Sequence, residues 1–379
     1  MVIDQFNLGG TETHTLSLTR ELLRKGAYVS VVGKRGKLLD SFVGLGCPVY
    51  EIDFVLDSYE PDMINRAKHL ELLETILRAE RIDVVHGHQY PSGSLGLEAA
   101  QLVGIPFVFT AHGSYYDGEF LALLQQSTTV IAVSPSVERV LRGSGVESLV
   151  VPNGLDMDEF DEFDPLYREH LRMKSGFPKQ AKVIMYAGRL SWEKADICEE
   201  VIRAVAGMVR EGSHHLRLVI VGGGKRQDAI YKLASEQQRK SDRPFIRCVG
   251  ESLNMRGYYA VSDCVIGTGR IGLEAMACKR PLISAGSKGM FGIVNPANYE
   301  AAWDCWFGDH GSMPRLAGET FAGDLEYVLS MKEEEQAGLV QAGRSFVADR
   351  FNISHQTIRM LDVYDRLANS RGIIPAAAL

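Results

Sequence analysis

Apolar and polar positions along the chain fall into two alternating patterns. Five short β-branched runs, "AYVSVVG" (27–33), "DVVHGH" (83–88), "PFVFTAH" (106–112), "TVIAVS" (129–134) and "SLVVPNG" (148–154), are apolar almost throughout. That is the signature of parallel strands covered on both faces. Longer amphipathic stretches separate them. "THTLSLTRELLRKG" (13–26) has apolar residues at helical spacing and ends on a glycine stop. An acidic, aromatic stretch, "LDMDEFDEFDPLYREHLRMKSGFPKQ" (155–180), then interrupts the rhythm. It restarts with "KVIMYAGR", "LRLVIVGGG", "FIRCVG", "DCVIGTG" and "RPLISAG". Two such sets predict two doubly wound α/β domains joined near residues 152–180, and no repeat of short fixed period is visible. "ISHQTIRMLDVYDRLANS" (353–370) reads as a final amphipathic helix and "GIIPAAAL" as a fraying tail. "MVID" leaves four residues before a glycine loop, against a usual strand of ~5–6, so the first strand looks clipped.

Composition narrows the class. A chain of 379 residues is too long for one ordinary core, which agrees with two domains. A hydrophobic fraction of 45% and a charged fraction of 23% fit a soluble globular protein. The net charge of -7 gives no global attraction for nucleic acid. No apolar stretch approaches the ~18 residues needed to cross a bilayer. The N-terminus lacks the basic region and long apolar stretch of a secretory signal. The six cysteines are scattered without a C-x-x-C pair, which argues against zinc and against a disulfide framework and suits a reducing cytoplasm. Arg20, Arg24, Lys25, Lys34, Arg35 and Lys37 are a candidate contact for the inner face of an anionic membrane; the default is solvated helix and loop charge.

Ligands of open α/β sheets bind at the carboxyl ends of the strands, and the unusual residues collect there. They include Gly9 and Gly10, His86 and His88, His112, Asn153, Gly188 and Arg189, Gly222 to Gly224, and Gly267 to Arg270. Any one of these glycines is accounted for by a tight turn; their accumulation in both halves points to a ligand. In "YAGRLSWEK", Arg189 offers a planar fork of donors and Lys194 a mobile point charge, a pair suited to a diphosphate. Their bland alternative is a solvated surface pair. "VIVGGGKRQDAI" is a glycine turn into a helix that can bring backbone N–H groups to a flat or anionic ligand. Neither it nor "NLGGTETH" is G-x-G-x-x-G, and "YVSVVGKRG" ends in Gly33 and Lys34 rather than in an acid, so a nicotinamide dinucleotide site is disfavoured. Asp156 and Asp158 could hold a metal, but a hard cation needs several converging oxygens, and Asp156 reads more simply as a cap. His86 and His88 project the same way without a third ligand. His112 ends a strand and is followed by glycine, so its ring can face open space.

In order, "GGTETHTLSLTRELLRKG", "AHGS", "VIAVSPSV", "VPNGLD", "YAGRLSWEK", "VIVGGG" and "LEAMACKRPLISAG" resemble the family 4 retaining glycosyltransferases, over about Gly9 to Leu367. The resemblance implies the GT-B architecture, two Rossmann-like doubly wound domains facing across a cleft. Residues 1–160 would form the acceptor-side domain, joined by a returning C-terminal helix at 355–370. Residues 161–354 would bind the nucleotide sugar. It further implies that Arg189 and Lys194 hold the donor diphosphate and neutralise the departing nucleotide. Glu274 would take the ribose hydroxyls through both carboxylate oxygens, and His112 would contact the donor sugar or its phosphate. Gly10 would let backbone approach the donor phosphate, with the glycine turns Gly222, Gly223, Gly267 and Gly269 lining the donor.

The chain also departs from the family. The usual pair of glutamates has seven residues between them; counting back from Glu274, the first falls on Ile266, and Gly267-Thr268-Gly269-Arg270 follow. The family's later glycine-rich segment often ends in a glutamate where this chain has Met290-Phe291-Gly292. Sugar recognition would therefore pass to Thr268, Arg270 or "GSKGMFGIV". The expected activity is metal-independent, cofactor-free transfer of a hexose or N-acetylhexosamine from a nucleotide diphosphate sugar, UDP favoured, to a hydroxyl, with retention. The alternatives are a nucleotide-sugar-binding protein without transfer activity and a sugar-nucleotide epimerase of similar fold.

Overall fold

The structure is a computed structural model that describes residues 1–54, 62–113, 116–311 and 320–369. Ser114 of "AHGS", Ser370 and the tail "GIIPAAAL" lie outside them. The chain divides into two compact units, Met1–Gly154 with Asn352–Leu379, and Leu155–Phe351.

Among the described residues the first unit holds a seven-stranded parallel sheet: β1 (Val2–Gln5), β2 (Val31–Lys34), β3 (Val49–Glu51), β4 (Val85–Gly87), β5 (Phe107–Ala111), β6 (Thr129–Ala132) and β7 (Leu149–Val150). Its order is β3-β2-β1-β4-β5-β6-β7, so the winding reverses between β1 and β4. One face packs Val2, Phe107, Phe109 and Leu95; the other packs Ile3, Val31, Val108 and Leu22. Burial of both faces is why these strands read as continuous apolar runs. The helix Pro135–Gly143 starts where Ser134 Oγ accepts the Val137 N–H at 3.4 Å, with proline at the first helical position. The final helix Ile353–Asn369 belongs to this unit. Its Ile353, Met360 and Val363 join the second face, and Ser354 accepts a hydrogen bond from Lys25 at 2.9 Å.

Among the described residues the second unit holds a six-stranded sheet, β8 (Lys182–Ala187), β9 (Leu216–Val221), β10 (Ile246–Gly250), β11 (Cys264–Gly267), β12 (Leu282–Gly286) and β13 (Gly289–Ile293), in the order β10-β9-β8-β11-β12-β13. Five strands are parallel. β13 runs antiparallel to β12, a departure from the all-parallel expectation. "GSKGMFGIV" is thus the tight turn and return strand of an edge hairpin, whose glycines hid it from a β-branched pattern. Val183, Met185, Val219 and Val265 face one apolar layer, and Ile184, Tyr186, Ile220 and Ile266 the other, the period of two that a strand imposes. Asp263 ties the starts of two neighbouring strands: it accepts from Val183 N–H at 2.7 Å and from Arg168 and Arg172 at 2.9 and 3.0 Å. Pairing of Val265 with Met185 then sets the β11–β8 register, and the winding reverses between these two strands.

Candidate functional site

A reversal of winding opens a crevice beyond the carboxyl ends of the two central strands. In the second unit these are β8, continuing into Gly188-Arg189, and β11, continuing into Gly267-Thr268-Gly269-Arg270.

The loop after β8 is held by the glycine turn after β9. Leu190 N–H donates to Gly223 C=O at 2.8 Å, Arg226 N–H to Leu190 C=O at 2.9 Å, and Lys225 N–H to Ser191 Oγ at 2.9 Å. Gly222 has φ +144°, and a Cβ there would lie 1.9 Å from the Gly188 oxygen. Close loop packing accounts for Gly222, while a Cβ on Gly223 would meet the Glu251 side chain at 2.7 Å; the packing shapes the segment carrying Arg189. That side chain is exposed, its guanidinium 5.9 Å from the centre of the Trp192 ring, with no hydrogen bond among the described residues. Lys194, two residues into the following helix Trp192–Arg210, pairs with Asp309 at 2.8 Å. The other Asp309 oxygen accepts from Ser287 N–H at 3.1 Å and Ser287 Oγ at 3.0 Å. Burial pushes the Asp309 carboxyl up, but Lys194, the Ser287 N–H and His310 outweigh it and hold the carboxyl below its ordinary range.

The turn after β11 answers to the segment 305–310. Gly269, at φ +53°, starts the helix Arg270–Ala277, and a Cβ there would meet Trp306 Nε1 at 2.8 Å. Thr268 is buried, and its hydroxyl donates to Phe307 C=O at 2.5 Å and approaches Trp306 C=O at 3.3 Å. Arg270 Nε donates to Glu274 Oε1 at 2.7 Å, and Tyr259 OH to Glu274 Oε2 at 2.7 Å. Both residues expected to read the sugar bond to the protein in this structure, Thr268 fixing a turn and Arg270 neutralising a carboxylate one helical turn away. Ile266 is fully buried in the apolar layer with Ile184 and Ile283. Glu274 is 4% exposed, and each of its oxygens keeps a lone pair beyond these two bonds. Burial pushes its carboxyl up, and Arg270 and Tyr259 offset only part of that. Sequence reasoning missed Tyr259 and Asp309.

In the first unit the winding reverses beside His14, His86, His88 and His112. The rings of His86 and His88 lie 4.0 Å apart, and His112 receives weak contacts from His88 at 3.3 Å and Asn153 at 3.2 Å. His86 bonds Thr110 at 2.7 Å and Tyr364 at 2.6 Å. Burial holds His86 and His88 well below the ordinary histidine range. Among the described residues no three His, Cys, Asp or Glu side chains are grouped to hold a metal. Asp156 Oδ1 accepts from Asp158 and Glu159 N–H at 3.0 and 3.2 Å, the geometry of a cap. Gly10 is exposed, with nothing within 4 Å of an added Cβ. A cavity of about 310 Å³ in this unit, bordered by Met1, Ser30, Val84 and Tyr364, lies at the opposite, amino ends of β1, β2 and β4. Of the basic residues singled out for a membrane, Arg24 and Lys25 pair with Glu21, Lys34 with Asp53 and Arg35 with Glu51, so these four form no concentrated positive face. No described helix is long and apolar enough to cross a membrane.

Two α/β units, each built on a parallel-dominated sheet with one reversal of winding, are those of the GT-B class, and solved structures agree. A glycosyltransferase from Rickettsia africae superposes with TM-score 0.76 at 19% identity, covering 97% of this chain and 98% of that one. HepE of Anabaena, solved with UDP and glucose, superposes with TM-score 0.75 at 18% identity over the same shares. Residues 8–159 match the model of glycosyltransferase family 4, and residues 181–302 that of glycosyl transferases group 1. A D-inositol 3-phosphate glycosyltransferase of Xylanimonas cellulosilytica is 25% identical across 96% of this chain and 93% of its own. The chain belongs to glycosyltransferase family 4, group 1; it is an enzyme, a glycosyltransferase.

Proposed function

We propose that the enzyme moves a hexose or an N-acetylhexosamine from a UDP-sugar to a hydroxyl acceptor, retaining anomeric configuration and needing no metal ion. One observation carries this reading: adjacent strands β8 and β11 present Arg189, Lys194 and Glu274 at the reversal of the second sheet. Arg189 and Lys194 bind the diphosphate and stabilise charge that grows as the sugar leaves. Glu274 accepts ribose hydroxyls on its remaining lone pairs. The backbone of Gly267 and Gly269 lines the donor, and Gly10 and His112 are the further candidate contacts for its phosphate or sugar that the resemblance adds. Catalysis rests on positioning and charge stabilisation rather than on an enzymatic nucleophile. Binding of UDP by HepE supports the base. The name of the Xylanimonas relative makes D-inositol 3-phosphate the first acceptor to try. Six unpaired cysteines fit a reaction in the reducing cytoplasm.

A screen of UDP-sugars with and without acceptors tests the proposal. Transfer yields a glycosylated acceptor of the donor's anomeric form. An isomeric nucleotide sugar would mean epimerisation, and binding without turnover would mean a donor-binding protein; either overturns the reading.

A further inference from the structure

Ile266 supplies no carboxylate where the resemblance expects one, and the Thr268 hydroxyl and Arg270 Nε already donate to the protein. The fold brings one from elsewhere. We infer that Asp309 is the residue that reads a hydroxyl of the donor sugar, a role that rests on the donor reading above.

Four observations converge on it. First, Asp309 is bonded to Lys194, assigned to the diphosphate, at 2.8 Å. The sugar is attached directly to that diphosphate, so a group beside the lysine faces the sugar. Second, the carboxylate has a vacancy of the right kind. An ionised carboxylate accepts about four hydrogen bonds. Ser287 N–H and Oγ fill one oxygen, and Lys194 takes one position on the other. One lone pair remains, on a side chain 20% exposed. It can take only a donor of a proton, which a diphosphate lacks and a hexose supplies.

Third, the carboxylate is held in place by strain. Trp306, Phe307 and Gly308 are three successive residues in the left-handed region, at φ +51°, +55° and +89°. Non-glycine residues persist there only where their surroundings over-determine them, as happens at functional sites. Here Thr268 and Ser284 hydroxyls clamp the Phe307 carbonyl at 2.5 and 2.6 Å, and the ring of Trp306 stacks on His310 with 15° between planes. Fourth, the clamp fixes the hairpin turn "GSKG" to the same point. Lys288 N–H donates to Gly308 C=O at 3.0 Å, and a Cβ on Gly286 would strike the Gly308 carbonyl carbon at 2.4 Å.

Calorimetry on the full chain with UDP, UDP-glucose and UDP-N-acetylglucosamine, and with singly deoxygenated forms of the preferred donor, tests the inference. In the wild-type protein, removal of one particular hydroxyl should weaken donor binding by about tenfold, a typical charge-assisted hydrogen bond. Asp309→Asn should show that same loss with the intact donor and no further loss with that deoxy donor. Its binding of free UDP should stay within about threefold of wild type or tighten, since Lys194 loses a competing anion. Asp309→Glu should restore part of the discrimination. A merely structural Asp309 would weaken all ligands together and leave the response to every deoxy donor unchanged; that outcome overturns the inference. If Asp309→Asn does not fold, the wild-type series decides: no single deoxygenation costing affinity also overturns it. Failure of the wild type to bind UDP or any UDP-sugar would instead strike down the donor reading, and this inference with it.

Discussion

Glu274 shows how much one buried side chain can be asked to do. Its oxygens already accept from Arg270 and Tyr259, so on the proposed reading a ribose would share the carboxylate rather than find it empty. Glu274→Ala should weaken free UDP and intact donor alike, by roughly ten- to a hundredfold, because two charge-assisted bonds are lost and water restores part of them. Tyr259→Phe should lower stability by about 1–2 kcal/mol, the cost of a buried acceptor losing one partner, with a smaller effect on the nucleotide. Calorimetry and denaturant unfolding separate the two, and wild-type UDP affinity in a folded Glu274→Ala protein would refute the ribose role. Arg189 makes the opposite case. Its side chain is exposed and without a hydrogen bond among the described residues, so on the proposed reading it gives up little on meeting a diphosphate whose charge rises in the transition state. Arg189→Ala should therefore cost about 2–4 kcal/mol in kcat/KM, mostly through kcat. An unchanged kcat with a raised KM would make Arg189 a uniform binder. Residue type and position after a strand singled out Arg189 and Lys194 in the sequence, and the family resemblance singled out Glu274. Asp309 was not legible, since it reaches Lys194 from 115 residues away and through aromatic residues in a backbone conformation that no propensity announces.

Loops and strands carry their own consequences. Gly222 and Gly10 look alike in sequence, each part of a glycine turn at a strand end, but the fold uses them differently. At Gly222 a methyl group would meet a carbonyl oxygen 1.9 Å away on a backbone at φ +144°. Gly222→Ala should destabilise the second unit by about 2–4 kcal/mol and displace the Arg189 loop. At Gly10 nothing lies within 4 Å, so Gly10→Ala should change unfolding by less than about 0.5 kcal/mol while impairing donor kinetics. Equal effects at both positions would refute the distinction. On β4, His86 is neutral when folded, as is His88 just beyond it, because burial disfavours their charged forms. The unfolded chain binds their protons below about pH 6.5 and the folded chain does not, so stability held at pH 7.5 is lost as pH falls. Two such groups predict a slope of up to about 2.7 kcal/mol per pH unit, and His88→Gln should remove about half of it. Hydrogen exchange of β4 and β5 across pH 7.5 to 5.5 measures this, and a flat profile would show that the histidines stay solvated. The parallel strands were legible from their β-branched runs. β13 was not, because a five-residue edge strand with glycine at two positions, Gly289 and Gly292, carries little strand signal.

At the scale of the whole molecule, the doubled strand–helix rhythm announced two doubly wound α/β domains, since a sheet covered on both faces writes a continuous apolar run at its inner strands; the GT-B class came from the ordered motifs of the family resemblance. What the rhythm does not announce is how the enzyme manages charge. A nucleoside diphosphate leaves with growing negative charge, and that charge needs either a divalent cation or protein cations. The acidic stretch 155–164 offered a metal-binding reading, but Asp156 spends an oxygen on the N–H groups of Asp158 and Glu159. Arg189 and Lys194 stand instead at the reversal of the second sheet, and Asp309 pairs with Lys194 at 2.8 Å, a pair that a diphosphate would exchange with on the proposed reading. The pairing removes a lone ammonium from a partly buried site and leaves a cation that a stronger anion can claim. Transfer should therefore persist at full rate after dialysis against EDTA, and added magnesium or manganese should change it by less than about twofold. Lys194→Ala should create a dependence the wild type lacks, with millimolar magnesium restoring part of the lost rate by screening the diphosphate. Turnover assays with metal-free donor decide. Activity abolished by EDTA and restored by manganese in the wild type would return the charge to a metal and Asp156 and Asp158 to its ligands.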